Sequence, residues 1–229
     1  MRYPCLVLDH DDTVVKSTPE IHYPAFLEIL ANLRPALAPP DLETFMEYCS
    51  EPGYFRYCAE IIGLTPEEQP YENEIWYKHL ARHVPAVYEG FPALLRRYRG
   101  RGGRIFVVTH SQSDVALRDW RENGLGEPDG VFGAELPEEH RKPYPWPLEQ
   151  IRLHWGFSKD EMLLVDDLMT GLTMAKRDGI LAVGAGWSHI SPRVRERVRA
   201  ACDVYLTEVC ALEPLLFGAS GADQAPESP

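Results

Sequence analysis

Three short apolar runs in this chain each lead directly into a polar residue. They are CLVL before Asp9, FVV before Thr109 and LLV before Asp166. Apolar runs of this length that alternate with helical stretches are typical of buried parallel strands. Because open α/β sheets bind ligands beyond the carboxyl ends of their strands, we expect these polar residues to converge in one site.

The residues at these strand ends are strongly acidic. Asp9, Asp11 and Asp12 follow the first run, and Asp166 and Asp167 follow the third. Carboxylates gathered this closely repel one another and raise each other's pKa values unless a cation lies among them. Oxygen ligands without a cluster of Cys or His favour Mg²⁺ or Ca²⁺, and Mg²⁺ is commonly bound by one or two carboxylates together with a substrate phosphate. The sequence therefore predicts a hard divalent cation, Mg²⁺ or Ca²⁺, and makes phosphate chemistry the leading hypothesis.

Four motifs occur in the order and spacing of one known superfamily. They are DHDDT at residues 9–13, Thr109, Lys142 followed by Pro143, and Asp166-Asp167 with Gly171 downstream. Over about residues 1–216, the chain resembles the haloacid dehalogenase (HAD) superfamily of phosphohydrolases. The resemblance implies an Mg²⁺-dependent phosphatase that hydrolyses a small phosphate monoester through an aspartyl-phosphate intermediate.

The resemblance also implies roles for individual residues. Asp9 matches the nucleophile and Asp11 the general acid and base. Thr109, His110 and Lys142 match the positions that hold the phosphoryl group, His110 mainly through its backbone N–H. We expect neighbouring carboxylates and closure of the cap to raise the pKa of Asp11, which its role as an acid requires.

The predicted metal ligands come from the same two strand ends. They are Asp9, Asp11 through its backbone, Asp166 directly or through water, and Asp167 directly. The alternative use of the acidic doublet is to cap the following helix, which needs one Asp and not two. One position departs from the family pattern, because Asp12 stands where Gly is usual; Asp tolerates a positive φ, but its extra charge is unexplained by the sequence.

Proline-separated helical stretches interrupt the alternation of strands and helices after the first motif. We predict a Rossmann-like, doubly wound parallel sheet core at residues 1–16 and 87–217, an inserted α-helical cap at 17–86, and a disordered tail at 218–229. The predicted cap helices are 23–33, 42–49 and 72–83.

The cap is where we expect substrate specificity, since the core residues address only the phosphoryl group and its metal. Tyr54 and Arg56 are the candidate specificity residues, as an aromatic wall and as a partner for an anionic group. Both could instead serve the cap itself, with Tyr54 packed and Arg56 solvated. His22 resembles a cap-hinge histidine of some sugar-phosphate mutases. It lies one residue late relative to Asp9, however, and Lys16 replaces an acidic residue often found there, so a structural packing role is favoured.

Composition limits the classes of partner. The 229 residues are 45% apolar and carry a formal charge of −12, which disfavours nucleic acid as a partner. We also expect no membrane partner and a cytoplasmic location, because a strand starts within a few residues of the N-terminus. The five cysteines show no CxxC pair, which favours reduced thiols.

Two other functions use the same residues. A phosphomutase would return the phosphoryl group from Asp9 to a second hydroxyl, and product analysis with a bisphosphate activator distinguishes it. A noncatalytic phosphate-binding regulator would keep the metal site and show no turnover.

Overall fold

A computed structural model describes residues 1–218 of the chain. Within them, six parallel strands form one sheet in the order β3-β2-β1-β4-β5-β6. The strands are β1 (Cys5–Leu8), β2 (Arg104–Val108), β3 (Gly130–Phe132), β4 (Met162–Asp166), β5 (Leu181–Ala185) and β6 (Val204–Leu206). Chain order reverses at β1, which confirms the predicted doubly wound sheet and places the crevice at the end of β1.

Helices cover both faces of the sheet and fill the segment after β1. The α-helices are α1 (Tyr23–Leu33), α2 (Leu42–Tyr48), α3 (Tyr54–Arg56), α4 (Gln69–Arg82), α5 (Phe91–Gly100), α6 (Ser113–Glu122), α7 (Trp146–Trp155), α8 (Met169–Asp178), α9 (Pro192–Ala201) and α10 (Leu212–Phe217). Residues of α5, α6 and α10 pack with Leu6 and Leu8 of β1, and residues of α7, α8 and α9 pack with Cys5 and Val7. Successive side chains of a strand point to opposite faces of the sheet. Because helices cover both faces here, every position of β1 is apolar.

Residues 17–86 contain α1 to α4 and have an apolar cluster of their own. Its buried members are Phe26, Leu30, Phe45, Tyr57, Cys58 and Ile62. Three π-helical segments, Thr18–His22, Cys49–Gly53 and Tyr57–Ile62, lie between or beside these helices. We call residues 17–86 the cap and the rest of the described chain the core.

The two linkers between core and cap lie side by side. The backbone N–H of Lys16 donates to the carbonyl of Ala86 at 2.9 Å, and that of Tyr88 donates to the carbonyl of Val14 at 2.9 Å. The two chain segments that contain the predicted boundaries, 16/17 and 86/87, are therefore adjacent in the structure.

The sequence missed some short elements. Strand β3 has three half-buried residues at the sheet edge and so carries no apolar run, and α10 has six residues. Strand β5 begins at Leu181 and not at the apolar Ile180, because the Ile180 N–H bonds back to the carbonyl of Ala175 near the end of α8. Of the predicted tail, residues 219–229 lie outside the described part of the chain.

Candidate active site

Three buried carboxylates meet at the carboxyl ends of the two central strands. Asp9 directly follows β1, Asp166 is the last residue of β4, and Asp167 comes next. Ligand atoms from these three residues all lie within 4.8 Å of one another. The Asp9 N–H donates to the carbonyl of Val165 at 2.9 Å, which fixes the two strand ends to each other.

Lys142 brings one positive charge to this cluster. It lies between a short 3₁₀ turn (Glu138–His140) and α7, and its side chain is buried. Its Nζ donates to Asp9 Oδ1 at 2.5 Å and to Asp166 Oδ2 at 2.8 Å. Despite burial, the two carboxylates raise the pKa of Lys142, so the ammonium stays charged.

One ammonium does not balance three buried carboxylates. Burial raises the pKa of Asp9 to about 7, against the lowering effect of Lys142. Burial and the charge of Asp9 also raise the pKa of Asp167 well above its ordinary value. Among the described residues, no group donates a hydrogen bond to Oδ2 of Asp9 or Oδ2 of Asp167. Excess negative charge on oxygen donors fits a hard divalent cation.

Gly171 leaves the space that Asp166 occupies. A Cβ atom at Gly171 would lie 1.8 Å from Asp166 Oδ2, the oxygen that Lys142 contacts. The other carboxylate oxygen accepts the N–H of Leu168 at 2.8 Å. Both oxygens of Asp166 are thus engaged, which supports contact with a metal through water rather than directly.

Asp11 lies at the centre of three hydrogen-bond donors. Its Oδ2 accepts from the Ser111 hydroxyl at 2.7 Å and from the Thr109 hydroxyl at 3.2 Å, and its Oδ1 accepts from His22 Nε2 at 3.3 Å. Burial raises the pKa of Asp11, but the hydrogen bonds from His22 and Ser111 and the nearby His10 outweigh it, and the pKa is lowered. The expectation of a raised Asp11 pKa is wrong for this arrangement, because donors and not carboxylates surround the group.

His22 has a contact that the sequence did not indicate. Besides its hydrogen bond to Asp11, its ring stacks on Trp76 of α4, with centroids 4.6 Å apart. The prediction of a packing role alone is therefore wrong, since the imidazole connects the cap to Asp11. No motif signals this contact, because Trp76 is 54 residues away in the sequence.

The two histidines that follow strand ends face different surroundings. His10 points away from the carboxylates, is fully buried, and its Nε2 donates to Asp119 Oδ2 of α6 at 3.2 Å. His110 Nε2 lies 3.2 Å from the Thr170 hydroxyl. The His110 N–H has no acceptor among the described residues, whereas the Thr109 N–H donates to the carbonyl of Phe132. A free N–H beside the carboxylates suits an incoming phosphoryl oxygen.

Asp12 takes the backbone conformation that the usual Gly would take. Its φ is +54°, the single positive value at a non-glycine residue in the described chain. Its Oδ1 accepts the N–H of Thr18, at the start of the cap, at 3.1 Å. Burial raises the pKa of Asp12 to about 6, against the lowering effect of Thr18. The carboxylate of Asp12, which the sequence did not explain, therefore faces the linker to the cap.

Thr13, Trp187 and His189 hold Asp167 and its loop in place. The Thr13 hydroxyl accepts the N–H of Asp167 at 3.1 Å and donates to Oδ1 of the same residue at 3.3 Å. His189 Nε2 donates to the carbonyl of Asp167 at 2.7 Å, and Trp187 Nε1 donates to the carbonyl of Thr13 at 2.9 Å. Thr13 belongs to the first motif; the other two follow β5, where no motif marks them.

The two candidate specificity residues lie in different surroundings. The Tyr54 hydroxyl donates to Glu72 Oε1 at 2.5 Å, and its ring lies 5.4 Å from that of Trp76, the ring that stacks on His22. The Arg56 side chain is 67% exposed and pairs with Glu60 one helical turn on. The structure thus connects Tyr54 to the site through Trp76 and gives Arg56 a surface partner.

Comparison with known proteins places this site in a family. The sequence model for haloacid dehalogenase-like hydrolases matches residues 6–185. A phosphoglycolate phosphatase of Rhodospirillum rubrum is 33% identical over 114 residues, which are 46% of this chain and 46% of that protein. A 5'-nucleotidase of Pseudomonas aeruginosa is 24% identical over 207 residues, which are 82% of this chain and 84% of that protein. The match to the phosphoglycolate phosphatase thus spans about half of its length.

Solved structures show the same fold. The crystal structure of a predicted phosphoglycolate phosphatase from Haemophilus somnus superposes with a TM-score of 0.75 at 18% identity, over 94% of this chain and 98% of that one. In the described residues, no helix has both the length and the apolar character needed to cross a membrane. The chain belongs to the haloacid dehalogenase-like hydrolase family, which confirms the resemblance drawn from its four motifs.

Proposed function

We propose that this member of the haloacid dehalogenase-like hydrolases is an Mg²⁺-dependent phosphatase that hydrolyses a small phosphate monoester through an aspartyl-phosphate on Asp9. The observation that carries the proposal is the meeting of Asp9, Asp166 and Asp167 with Lys142 at the ends of adjacent strands. The names of the two curated relatives agree on one reaction class, the hydrolysis of a phosphate monoester.

The metal would be held by oxygen atoms on both sides of the crevice. Asp9 and Asp167 would bind directly through carboxylate oxygens, Asp11 through its backbone carbonyl, and Asp166 through water. When bound, Mg²⁺ would supply positive charge against the oxygens of the phosphoryl group.

The chain's own residues divide the remaining work. Asp9 Oδ2 attacks phosphorus while Lys142 holds Oδ1 of the same carboxylate and offers its charge to the phosphoryl oxygens. The hydroxyl of Thr109 and the N–H of His110 hold those oxygens from the side of β2. Asp11 protonates the leaving alcohol and then takes a proton from the water that hydrolyses the aspartyl-phosphate.

The three donors around Asp11 bear on both proton transfers. The hydrogen bonds from His22 and Ser111 favour its ionised form, which is the form that accepts a proton from water. A bound phosphoryl oxygen would compete for the Thr109 hydroxyl, which lies 3.2 Å from Asp11, and losing that donor makes protonation easier. Thr109 thus couples phosphate binding to the acid form of Asp11.

A turnover screen tests this function. The purified full chain is assayed with phosphoglycolate, nucleoside 5'-monophosphates, sugar phosphates and an aryl phosphate, with Mg²⁺ or with EDTA. Asp9→Asn, prepared in parallel and checked for folding by circular dichroism, is the control. We expect Mg²⁺-dependent release of phosphate by the wild type and none by the control. Absence of turnover on every ester, or equal turnover by the control, would contradict the proposal.

A further inference from the structure

We propose that Asp12 is a positioning residue that holds the first cap linker so that His22 can reach Asp11. The proposal rests on the proposed function, because it gives Asp12 a part in orienting the predicted general acid and base. It also gives a role to the side-chain oxygen of Asp12, at a position where the family usually has Gly.

The first step is the hold of Asp12 on Thr18. Asp12 Oδ1 accepts the Thr18 N–H at 3.1 Å, and both residues are buried. Thr18 begins a π-helical turn, so its N–H has no partner within that turn. A buried N–H without an acceptor is unfavourable, so losing Asp12 forces the turn to shift or to admit water.

The second step is the contact between the same turn and Asp11. The turn Thr18–His22 ends at His22, whose Nε2 donates to Asp11 Oδ1 at 3.3 Å. Stacking on Trp76 fixes the imidazole plane from the cap side. His22 Nδ1 is buried and has no hydrogen-bond partner among the described residues, so Asp11 is the polar anchor of this ring.

Two adjacent carboxylates therefore hold the two ends of one turn. Asp12 binds its first residue through the backbone, and Asp11 binds its last residue through the side chain. The middle of the turn is fixed separately, since Glu20 Oε2 accepts the N–H of Ala86 in the second linker at 2.8 Å. Glu20 does not hold the first residue of the turn, Thr18, and Asp12 fixes the position of that residue.

Two substitutions separate the acceptor from the charge. Asp12→Gly suits the positive φ and removes the acceptor, whereas Asp12→Asn tolerates the same φ and keeps an oxygen for the Thr18 N–H. The readouts are amide hydrogen exchange of the segment 17–22 and kcat/KM on an alkyl phosphate compared with an aryl phosphate. Aryl leaving groups need a general acid least, so a misplaced Asp11 affects the alkyl ester more.

For Asp12→Gly we expect faster exchange in the segment 17–22, a loss of ~10-fold on the alkyl phosphate and a loss below ~3-fold on the aryl phosphate. Asp12→Asn should stay near the wild type in the exchange of residues 17–22 and in its activity on both esters. In a His22→Phe background, which keeps a stacked ring without a donor, Asp12→Gly should add little further loss. Equal losses on both esters, unchanged exchange, or a full additional loss in that background would overturn the proposal.

Two outcomes need their own decision. If Asp12→Gly does not fold, His22→Phe and His22→Gln are compared instead, because Gln keeps a hydrogen-bond donor and Phe does not. A larger loss of kcat/KM on the alkyl phosphate for His22→Phe than for His22→Gln supports the proposal. Equal losses for the two variants overturn it. If the wild type hydrolyses none of the esters in the turnover screen, the proposed function fails. Amide hydrogen exchange of residues 17–22 then still tests whether Asp12 holds the linker.

Discussion

The core and the cap of this protein are stabilised by different chemistry where they face each other. The core presents acids and one lysine beyond its strands, each held by a hydrogen bond from a neighbouring loop. The cap has an interior of aromatic rings, including Phe26, Phe45 and Tyr57. The charged groups proposed for phosphoryl chemistry thus lie in the core, whereas the cap interior is packed mainly by aromatic rings.

Polar contacts connect α2 and the residues after it in the cap to α9 and the residue before it in the core. The Ser191 hydroxyl donates to Glu47 Oε1 of α2 at 2.6 Å, and Arg193 lies 3.4 Å from the same carboxylate. Arg197 of α9 bonds to Ser50 and pairs with Glu51. These contacts are polar, in contrast to the aromatic packing inside the cap. We propose from this difference that the core carries the phosphoryl chemistry and that the cap controls access to it.

The largest effect should follow Asp9→Asn. The substitution keeps the size of the side chain and removes the nucleophile, so we expect phosphatase activity to fall at least ~10³-fold while the melting temperature changes little. A residual rate within tenfold of the wild type, equivalent to about 1.4 kcal/mol in the barrier, would remove Asp9 from its role.

Gly171→Ala tests whether the core site needs its present packing. The new Cβ would overlap the Asp166 carboxylate, which must then leave Lys142, so we expect a loss of ~10²-fold and a higher Mg²⁺ requirement. Gly100→Ala at the end of α5 is the matched control, because nothing lies within 4 Å of its Cβ. Similar kinetics for the two variants would mean that Asp166 does not need its observed position.

Glu47→Ala tests the cap side of the comparison. It removes the acceptor for Ser191 and the partner of Arg193, so closure should weaken and KM should rise ~2- to 5-fold with kcat nearly unchanged. Glu43→Ala, an exposed position on the same helix, serves as control. A drop in kcat with constant KM would place this contact in the chemistry instead of in access.

The smallest effect should come from Arg56→Ala. This exposed side chain pairs with Glu60, and such pairs contribute about 0.3–0.5 kcal/mol, so stability and KM should hardly change. Tyr54→Phe is the informative partner, because it leaves the Glu72 carboxylate without its donor, and KM for the best substrate should change more. A clear rise in KM for Arg56→Ala alone would restore Arg56 as a specificity residue.

The sequence predicts the core better than it predicts the cap contacts. Apolar runs and helix ends place the strands, and the strand ends bring Asp9, Thr109 and Asp166 to one edge. The sequence does not predict the direction in which a side chain points. The hydrogen bonds from His22 to Asp11 and from the Thr18 N–H to Asp12 were therefore not predicted. His189 is missed for another reason: its contact with Asp167 depends on the neighbouring position of β5 in the sheet.

Mapping a phosphoryl group on the protein tests the central claim most directly. Asp11→Asn should slow hydrolysis of the aspartyl-phosphate more than its formation on an aryl phosphate, so the intermediate should accumulate. The reaction is quenched in acid during turnover, and the peptides are analysed by mass spectrometry. We predict one added phosphoryl group on the peptide that contains Asp9, and none in the variant that also carries Asp9→Asn. Turnover by Asp11→Asn with no phosphorylated peptide, or with the group on another residue, would contradict the account.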